Sequence, residues 1–454
     1  MKIVVVGHGK VGTTLTVQLA REGHDIIIVD NDERVIENVV NAYDVMGICG
    51  NGGSYDVLQQ AGVATADLFI AVTSGDEMNI LSCMLAKKMG AKHTIARVRN
   101  PQYTKLLVYM RDELGLSMSI NPEFEAANEI FRVLRLPQAL EVDSFSKGRV
   151  DLVAVRIQPN SKLNGKAIAG LSSFFKANIL ICAVERKGEV IIPDGDFVME
   201  CGDKIFISAT SKELDLFFKE TGIISHKIRK VMIIGGGKIA YYLARQLISL
   251  KVNVKIVELN KQRSRELSEL LPKATVVYGD GTDQAVLTEE GIRNVDACVA
   301  LTDNDEENII LSMYAGTQKV EKIITKVNRI PLLKIMQDVG IESVISPKML
   351  TANHIVRYVR AMETTEDNSI RTLYKIVDGQ AEAIEFPVTR DSGFVGRPLR
   401  ELNIRKNNLI ACIIRKGRII FPNGDAVMET GDNVVVVTTT QSLKHLTDIL
   451  DSRE

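Results

Sequence analysis

Apolar residues along this chain gather into strand-length runs separated by stretches of helical spacing. The runs Ile3–Val6, Ile26–Val29, Leu68–Val72 and Thr94–Val98 are rich in β-branched residues and predict strands. Between them, Gly12–Glu22 and Met78–Met89 space their apolar residues three and four apart, as amphipathic helices do. Strands so continuously apolar leave no face for water, so the alternation predicts a parallel sheet with helices on both sides. Near residue 150 the pattern changes. Asp151–Ile157, Ile179–Arg186, Val190–Pro193 and Asp203–Ala209 predict short strands, with tight turns at Lys187-Gly188 and Asp194-Gly195 and one helix over Ala167–Phe175. This second module reads as a compact α+β unit.

Both modules occur twice. Val4-Val5-Val6-Gly7-His8-Gly9-Lys10-Val11-Gly12 returns as Met232-Ile233-Ile234-Gly235-Gly236-Gly237-Lys238-Ile239-Ala240. Asp76-Glu77-Met78-Asn79 returns as Asp305-Glu306-Glu307-Asn308, and Pro193-Asp194-Gly195-Asp196 as Pro422-Asn423-Gly424-Asp425. Between the modules, Pro122–Leu136 and Pro347–Met362 share an Ala-Asn-x-Ile-x-Arg-x-x-Arg string starting at Ala127 and Ala352. Proline suits the first turn of each helix. Their apolar stripe fits packing on the helix's own sheet or on a neighbouring one.

The glycine turns carry the chemistry. Gly7-x-Gly9-x-x-Gly12 follows a strand and opens a helix, the context in which this pattern points to a nucleotide diphosphate. Gly7 permits the tight turn, Gly9 the approach of backbone N–H groups to phosphate, and Gly12 close helix–strand packing. The helix N-terminus adds partial positive charge. Asp30 follows Gly12 at close to the ~20-residue spacing of an acid that takes a ribose diol, and it disfavours a 2′-phosphate. The second copy keeps Gly235, Gly236 and Gly237 with Lys238 and Ile239, puts Ala240 at the third position, and has Glu258 as its acid.

A second glycine turn, Gly50-Asn51-Gly52-Gly53 or Gly279-Asp280-Gly281-Thr282, falls at the carboxyl edge of the sheet. Asp280 suits an adenine amino group or a helix cap. Thr73-Ser74 and Thr302-Asp303 suit a ribose or, again, a cap. Arg97 and Lys326 are candidate phosphate partners or solvated edge charges.

Composition narrows the function. The 56 Lys+Arg and 57 Asp+Glu nearly cancel, so no cationic surplus favours nucleic acid. No run approaches the ~18–20 apolar residues that cross a bilayer, and the strand pattern begins at Lys2, which predicts no secretory signal. Six cysteines lie scattered without C-x-x-C spacing, against a zinc site or a disulfide framework. The chain is expected to be cytoplasmic. For catalysis, none of His8, His24, His93, His226, His354 and His445 recurs in both copies beside a matching carboxylate. There is no Walker loop, His-Glu-x-x-His or Gly-x-Ser-x-Gly. Asp196, Glu200 and Asp203 read as turn chemistry rather than a metal site. Two nucleotide-type modules without a catalytic partner predict a sensor. An NAD-dependent oxidoreductase with its substrate between the modules is the alternative.

These parts, in this order, resemble the RCK (KTN) domain. The resemblance rests on the glycine turn, the acid after the second strand, the Gly-Asp/Asn-Gly turn with Ala61-Gly62-Val63 and Glu290-Gly291-Ile292, and the Thr-x-x-Asp-Glu-x-Asn helix start. The small module, with Leu163-Asn164-Gly165-Lys166 and Val395-Gly396-Arg397-Pro398-Leu399, resembles its C-terminal companion. Tandem copies over essentially the whole chain resemble the TrkA-type regulatory subunits of Trk potassium-uptake systems.

The resemblance implies an α/β fold class: two Rossmann-like, doubly wound parallel-sheet domains, each followed by a small α+β RCK C-terminal domain. The nucleotide-binding domains would span 1–121 and 228–346, the crossover helices with linkers 122–147 and 347–368, and the C-terminal domains 148–222 and 369–454. It further implies a gating ring, tetrameric by analogy, on the cytoplasmic face of the inner membrane. The ring would regulate a Trk-type membrane subunit through bound NAD(H), with ATP or ADP as further ligands of the same sites. Gly7 to Val11, Asp30, Thr73, Ser74 and Arg97 would line the first site. Gly235 to Ile239, Glu258, Gly279, Asp280, Thr302 and Lys326 would line the second. Asn51, Ala240 and Lys326 depart from the family pattern.

Overall fold

The computed structural model describes residues 1–145, 150–222, 227–329, 332, 336, 341, 343–363, 372–376, 380–390, 394–440, 443 and 445–451. The chain opens with β1 (Lys2–Val6), α1 (Lys10–Arg21), β2 (Asp25–Asp30), α2 (Glu33–Ala42), β3 (Met46–Cys49), α3 (Tyr55–Gln60), β4 (Leu68–Ala71) and α4 (Asp76–Met89). It continues through β5 (His93–Arg97), α5 (Pro101–Met110), β6 (Met118–Ile120) and α6 (Pro122–Arg135). The six strands form a parallel sheet in the order β3-β2-β1-β4-β5-β6. The order reverses between β1 and β4, so the carboxyl ends of those strands frame a crevice where open α/β sheets bind ligands. Val4, Val6, Val29, Leu58 and Phe69 are among the residues of the core beside this sheet.

The small module follows with β7 (Glu141–Phe145), β8 (Val150–Arg156), α7 (Leu171–Phe174), β9 (Leu180–Arg186), β10 (Glu189–Ile191), β11 (Lys204–Ala209) and α8 (Ser211–Thr221). Its sheet is antiparallel, in the order β10-β9-β11-β8-β7. Strand β7 lies within 122–147, the stretch read as crossover helix and linker. It is short and weakly patterned, and pairing with β8 makes it a strand. The helix expected over Ala167–Phe175 is a 3-10 turn, Ile168–Gly170, leading into α7. Ala167 is taken up by a bridge to Val198. Strand β10 stops before Pro193, which has no N–H to donate.

The second copy repeats this plan with β12 (Lys230–Ile234), α9 (Lys238–Ser249), β13 (Asn253–Glu258), α10 (Lys261–Leu270), β14 (Thr275–Tyr278), α11 (Gln284–Glu289), β15 (Ala297–Ala300) and α12 (Asp305–Thr317). Then come β16 (Lys322–Lys326), β17 (Val344–Ile345) and a crossover helix, α13 (Pro347–Glu363). The sheet order is again β14-β13-β12-β15-β16-β17. Strands β18 (Thr372–Ile376), β19 (Ala381–Pro387), β20 (Asn408–Arg415), β21 (Arg418–Ile420) and β22 (Asn433–Thr438) complete the second small module. The end of the second expected linker, 364–368, lies outside the described residues.

Contacts group the chain into two compact units, one of Met1–Phe131 with Arg229–Val356, the other of Arg132–Ile228 with Arg357–Glu454. In the first unit each crossover helix packs on the other copy. The Phe124 ring meets Tyr242 of α9 edge-on, with centroids 5.3 Å apart. Asn121 Nδ2 donates to the Tyr242 hydroxyl (3.1 Å) and Gln246 Nε2 to Asn128 Oδ1 (2.7 Å). From the other direction, Gln18 Nε2 of α1 donates to Asn353 Oδ1 of α13 (3.2 Å). In the second unit the two small sheets share a core. Cys182, Ala183 and Phe206 pack with Ala383, Ala411 and Cys412, and these mostly small side chains let the sheets approach closely.

Helix α1 sits tight on β1: a Cβ at Gly12 would overlap the Gly7 carbonyl oxygen, whereas the second copy accommodates the fully buried Ala240 at the same place. Gly12→Ala is therefore expected to lower stability by about 2–3 kcal/mol in chemical denaturation, through overpacking. The reciprocal Ala240→Gly should cost only about 1 kcal/mol, and equal losses would contradict the difference in packing.

Candidate nucleotide-binding sites

Each glycine corner is built by backbone contact. Gly7 takes φ +91°, and a Cβ there would stand 2.7 Å from the Thr73 amide nitrogen. Gly235 takes φ +98° and would meet Leu301 at 2.8 Å. Only glycine fits both the conformation and the space. Gly9 and Gly237 differ in kind. Both are extended, and a Cβ on either would find nothing within 4 Å. Glycine there leaves an open cradle in front of the helix.

Helices α1 and α9 begin at Lys10 and Lys238 with no side-chain cap. Their first amide donors therefore face the cradle unspent. A diphosphate fits this donor set and this opening. Val11 and Ile239 are buried and present only their backbone, while Lys10 and Lys238 are exposed.

The two acids tie each corner to the end of the second strand. Asp30 Oδ2 accepts from the His8 amide (2.6 Å) and Oδ1 from the Asp32 amide (3.0 Å). Glu258 achieves the same with one more methylene, accepting from the Gly236 amide (2.6 Å) and the Asn260 amide (2.6 Å). Each carboxylate oxygen keeps further lone pairs for a ribose diol.

What flanks the acid differs between copies. His8 is only 6% exposed, and neither ring nitrogen has a hydrogen-bond partner. Burial pushes the imidazole below its ordinary value of 6.5, and Asp30 offsets part of that. At Gly236, Leu267 fills the equivalent space and Arg263 Nε donates to the Gly236 carbonyl (2.9 Å).

The far side of the crevice is strapped from α4 and α12. The Asn79 side-chain oxygen accepts from the Thr73 amide (2.8 Å) and hydroxyl (2.7 Å). Its nitrogen donates to the carbonyls of Thr73 (3.2 Å) and Arg97 (2.9 Å). Asn308 binds Thr302 N, Thr302 O and Lys326 O in the same way, at 2.8, 3.0 and 3.0 Å. The acid at each helix start adds a second strap. Asp76 accepts from the amides of Arg99 (2.9 Å) and Asn100 (2.7 Å), and Asp305 from those of Asn328 (2.9 Å) and Arg329 (2.8 Å). The repeated Asp-Glu-x-Asn string marked these residues, yet their work is to join the ends of the fourth and fifth strands.

The other candidates have specific partners. The Thr73 hydroxyl is spent on Asn79, and Thr302 Oγ1 donates to the Asn304 carbonyl (3.1 Å). Ser74 is exposed, and its carbonyl accepts from Arg99. Arg97 lies half-buried across the end of β4, donating to the Thr73 carbonyl (3.3 Å). Burial and Arg99 lower its pKa from the ordinary arginine value, with Glu123 and Asp76 opposing. Lys326 is buried with its ammonium 3.4 Å from Asp303. Neither is a solvated edge charge.

Asp280 caps no helix. It closes a turn onto the Thr282 amide (2.8 Å) and hydroxyl (2.7 Å), which holds its carboxyl below the usual range, and Asp283 caps α11. Gly279 packs beside Val286. In the small modules, Asp203 takes a bidentate pair from Arg186 (2.7 Å each) and Asp432 the same from Arg415. Among the described residues no cluster of His, Cys, Asp or Glu suits a metal, and none of their helices is long and apolar enough to cross a membrane. His226 lies outside the described residues.

Known proteins match the chain over nearly its whole length. The TrkA-N domain model matches residues 3–122 and 231–347, and the TrkA-C domain model residues 152–222 and 383–451. A Trk system potassium uptake protein TrkA homolog of Archaeoglobus fulgidus is 34% identical, over 99% of this chain and 100% of its own length. The chain belongs to the TrkA family. The Trk system potassium uptake protein TrkA of Halomonas elongata is likewise 34% identical, over 96% of this chain and 95% of its own. Among solved structures, the GsuK channel bound to NAD has a TM-score of 0.64 at 19% identity, covering 97% of this chain and 77% of its own. GsuK bound to ADP has a TM-score of 0.52 at 16% identity, covering 79% and 69%. These structures share the tandem RCK fold with this TrkA-family chain.

Two outcomes test the geometry. Asn79→Ala strips several buried partners at once and should cost about 2–4 kcal/mol in denaturation; a loss below ~1 kcal/mol would mean the strap is dispensable. Because the folded chain disfavours the His8 imidazolium, His8 contributes stability present above about pH 6.5 and lost as pH falls through its lowered value. Between about pH 7 and pH 5, the melting temperature of the nucleotide-free chain should therefore fall more steeply than that of His8→Ala. Parallel slopes would count against it.

Proposed function

We propose that this chain is the nucleotide-binding regulatory subunit of a Trk-type potassium uptake system, with Gly9 and Gly237 marking two sites for NAD(H), ATP or ADP. The observation that carries this reading is the pair of open cradles at Gly9 and Gly237, in a chain whose full-length relatives are potassium uptake proteins. The backbone amides that open α1 and α9 hold the diphosphate, and Asp30 and Glu258 take the ribose diols. Those two acids also fix the amides of His8 and Gly236, so ligand contact and corner geometry are coupled through the same carboxylate. The subunit acts on the cytoplasmic face of the membrane as a ring of four chains beneath the transporter.

Regulation needs no chemistry on the nucleotide. A ligand shifts the ring only by the difference in its affinity for the two ring shapes. Moving a gate from mostly closed to mostly open takes about 5.5 kcal/mol of such difference, which several equivalent sites in one ring divide among themselves. The regulatory reading is preferred to an oxidoreductase because the matched relatives are potassium uptake proteins over almost their entire lengths.

Asp30→Ala is expected to weaken nucleotide binding at the first site by about tenfold, the loss of one charge-assisted pair of hydrogen bonds. Calorimetry on the full chain measures it, with a thermal melt to show that the fold survives. Potassium uptake by cells carrying the variant should lose its nucleotide dependence. Unaltered affinity would refute the site.

A further inference from the structure

One position in the glycine turn separates the two corners. At the second corner it is Gly236, where a Cβ would stand 2.4 Å from Leu267 Cδ1 and 2.7 Å from Glu258 Oε2. No side chain fits there. Arg263 of α10 comes in instead, its Nε donating to the Gly236 carbonyl (2.9 Å) and its Nη1 to Glu266 (3.1 Å). At the first corner the position holds His8, whose amide donates to Asp30 (2.6 Å) and whose carbonyl accepts from Thr13 Oγ1 (3.3 Å). Counted from the N-caps Asn260 and Asp32, Arg263 and Leu267 of α10 correspond to Val35 and Val39 of α2. Valines are smaller than arginine and leucine, and they offer an imidazole no hydrogen bond.

His8 is thus a buried titratable group set in the backbone of the cradle itself, with neither ring nitrogen hydrogen-bonded among the described residues. The charges around it are few. Asp30, at the end of β2, favours the charged ring, but burial outweighs it and holds the imidazole below its ordinary value of 6.5. Lys10 of α1, Asp32 at the cap of α2, Glu33, Arg34 and Glu37 of α2, and Cys49 of β3 opposite Asp30 are all exposed to water. A diphosphate on the amides that open α1 is held by the residues next to His8 in the chain. Its charge then stands within roughly 10 Å of the ring, where two unit charges in a partly buried site still interact by more than the thermal energy. At the second corner the guanidinium of Arg263 keeps its charge throughout the physiological range, so it brings no change of proton.

We propose that His8 makes the first corner a proton-linked nucleotide site: a diphosphate bound there is held partly by an imidazolium that forms on binding, whereas the second corner binds with no change of proton. This rests on the nucleotide reading of the corners given above. Without nucleotide, burial keeps the ring neutral, and the bound diphosphate favours its charged form. Affinity at the first corner therefore rises as pH falls through the range between those two states. Of two sites in one chain, the first responds to acidification and the second holds its ligand regardless.

The test isolates each corner in the full chain and uses NAD as the probe, because its doubly esterified diphosphate does not itself titrate near neutrality. A Cβ at Gly9 or Gly237 meets no protein atom within 4 Å, so Gly237→Val closes only the second cradle and Gly9→Val only the first. In Gly237→Val, calorimetry should show NAD binding about tenfold tighter at about pH 5.5 than at about pH 8, the factor set by an about tenfold change in the proton affinity of one group. At about pH 6, titrations in two non-phosphate buffers of different ionisation enthalpy should show about half a proton taken up per NAD. Adding His8→Gln should remove both the pH slope and the proton uptake, and Gly9→Val should bind NAD equally across the range. Should the His8 variant not fold, isotope-labelled histidine resonances of Gly237→Val read the same proton: one imidazole titration should move to higher pH when NAD is added. A slope or uptake that survives His8→Gln, or imidazole titrations that all stay in place, would overturn the proton linkage alone. Failure of the unaltered chain to bind NAD, ATP or ADP at any pH would overturn both this proposal and the reading beneath it.

Discussion

Backbone must touch backbone at the glycine corners, and the rest of each large module is arranged around that contact. Gly7 rests on Thr73, and Gly12 leaves room for the Gly7 carbonyl. Any side chain at these two positions would push β1, α1 and the end of β4 apart. The same approach aligns the carboxyl ends of four neighbouring strands. Asp30 then binds the corner from β2, and Asn79 and Asp76 bind the ends of β4 and β5 from α4. The result is a crevice whose walls are hydrogen-bonded to one another, with uncapped amide donors where Gly9 keeps the space open. Rigid walls and unspent donors are what a preorganised anion site requires.

Duplication within one chain frees the copies to diverge while keeping that frame. The acid lengthens from Asp30 to Glu258 and still reaches the same kind of amide. His8 gives way to Gly236, and Leu267 with Arg263 takes over the vacated space. Gly12 becomes Ala240. At Gly236 the change is absorbed locally, by side chains from α10. The swapped crossover helices do the opposite and make the copies interdependent. Tyr242 packs under Phe124 and bonds to Asn121, so the helix that opens the second corner leans on the first copy.

The fold class was legible in the chain because parallel strands buried on both faces print as unbroken apolar runs, and the repeat doubled every signal. Strand β7 was not legible, since it owes its existence to pairing with β8, whereas helix α8 is announced by Thr210 capping an amphipathic run that buries Leu214, Phe217 and Phe218. Around the crevice, the residue types at the corners pointed to backbone chemistry, and the structure gathers Gly7, Gly9, Asp30, Thr73 and Arg97 at one edge of the first sheet. What the residues do to one another was hidden. Asn79 and Asn308 looked like helix-start residues and are the principal straps. The Thr73 hydroxyl is already committed to Asn79, and Asp280 folds onto Thr282 while Asp283 does the capping.

By itself the sequence determined the two modules, their order, their duplication and the glycine corners, because these depend on local spacing, on conformations open only to glycine, and on apolar patterns that neighbouring residues share. Only the tertiary structure decided where the crossover helices go. The stripe on α6 would bury equally well against either sheet. Its choice of partner depends on the shape of α9, on the Tyr242 ring and on the Gln246–Asn128 bond, all more than a hundred residues away along the chain. Long-range complementarity of that kind has no period and no motif, so it is written in the packing alone.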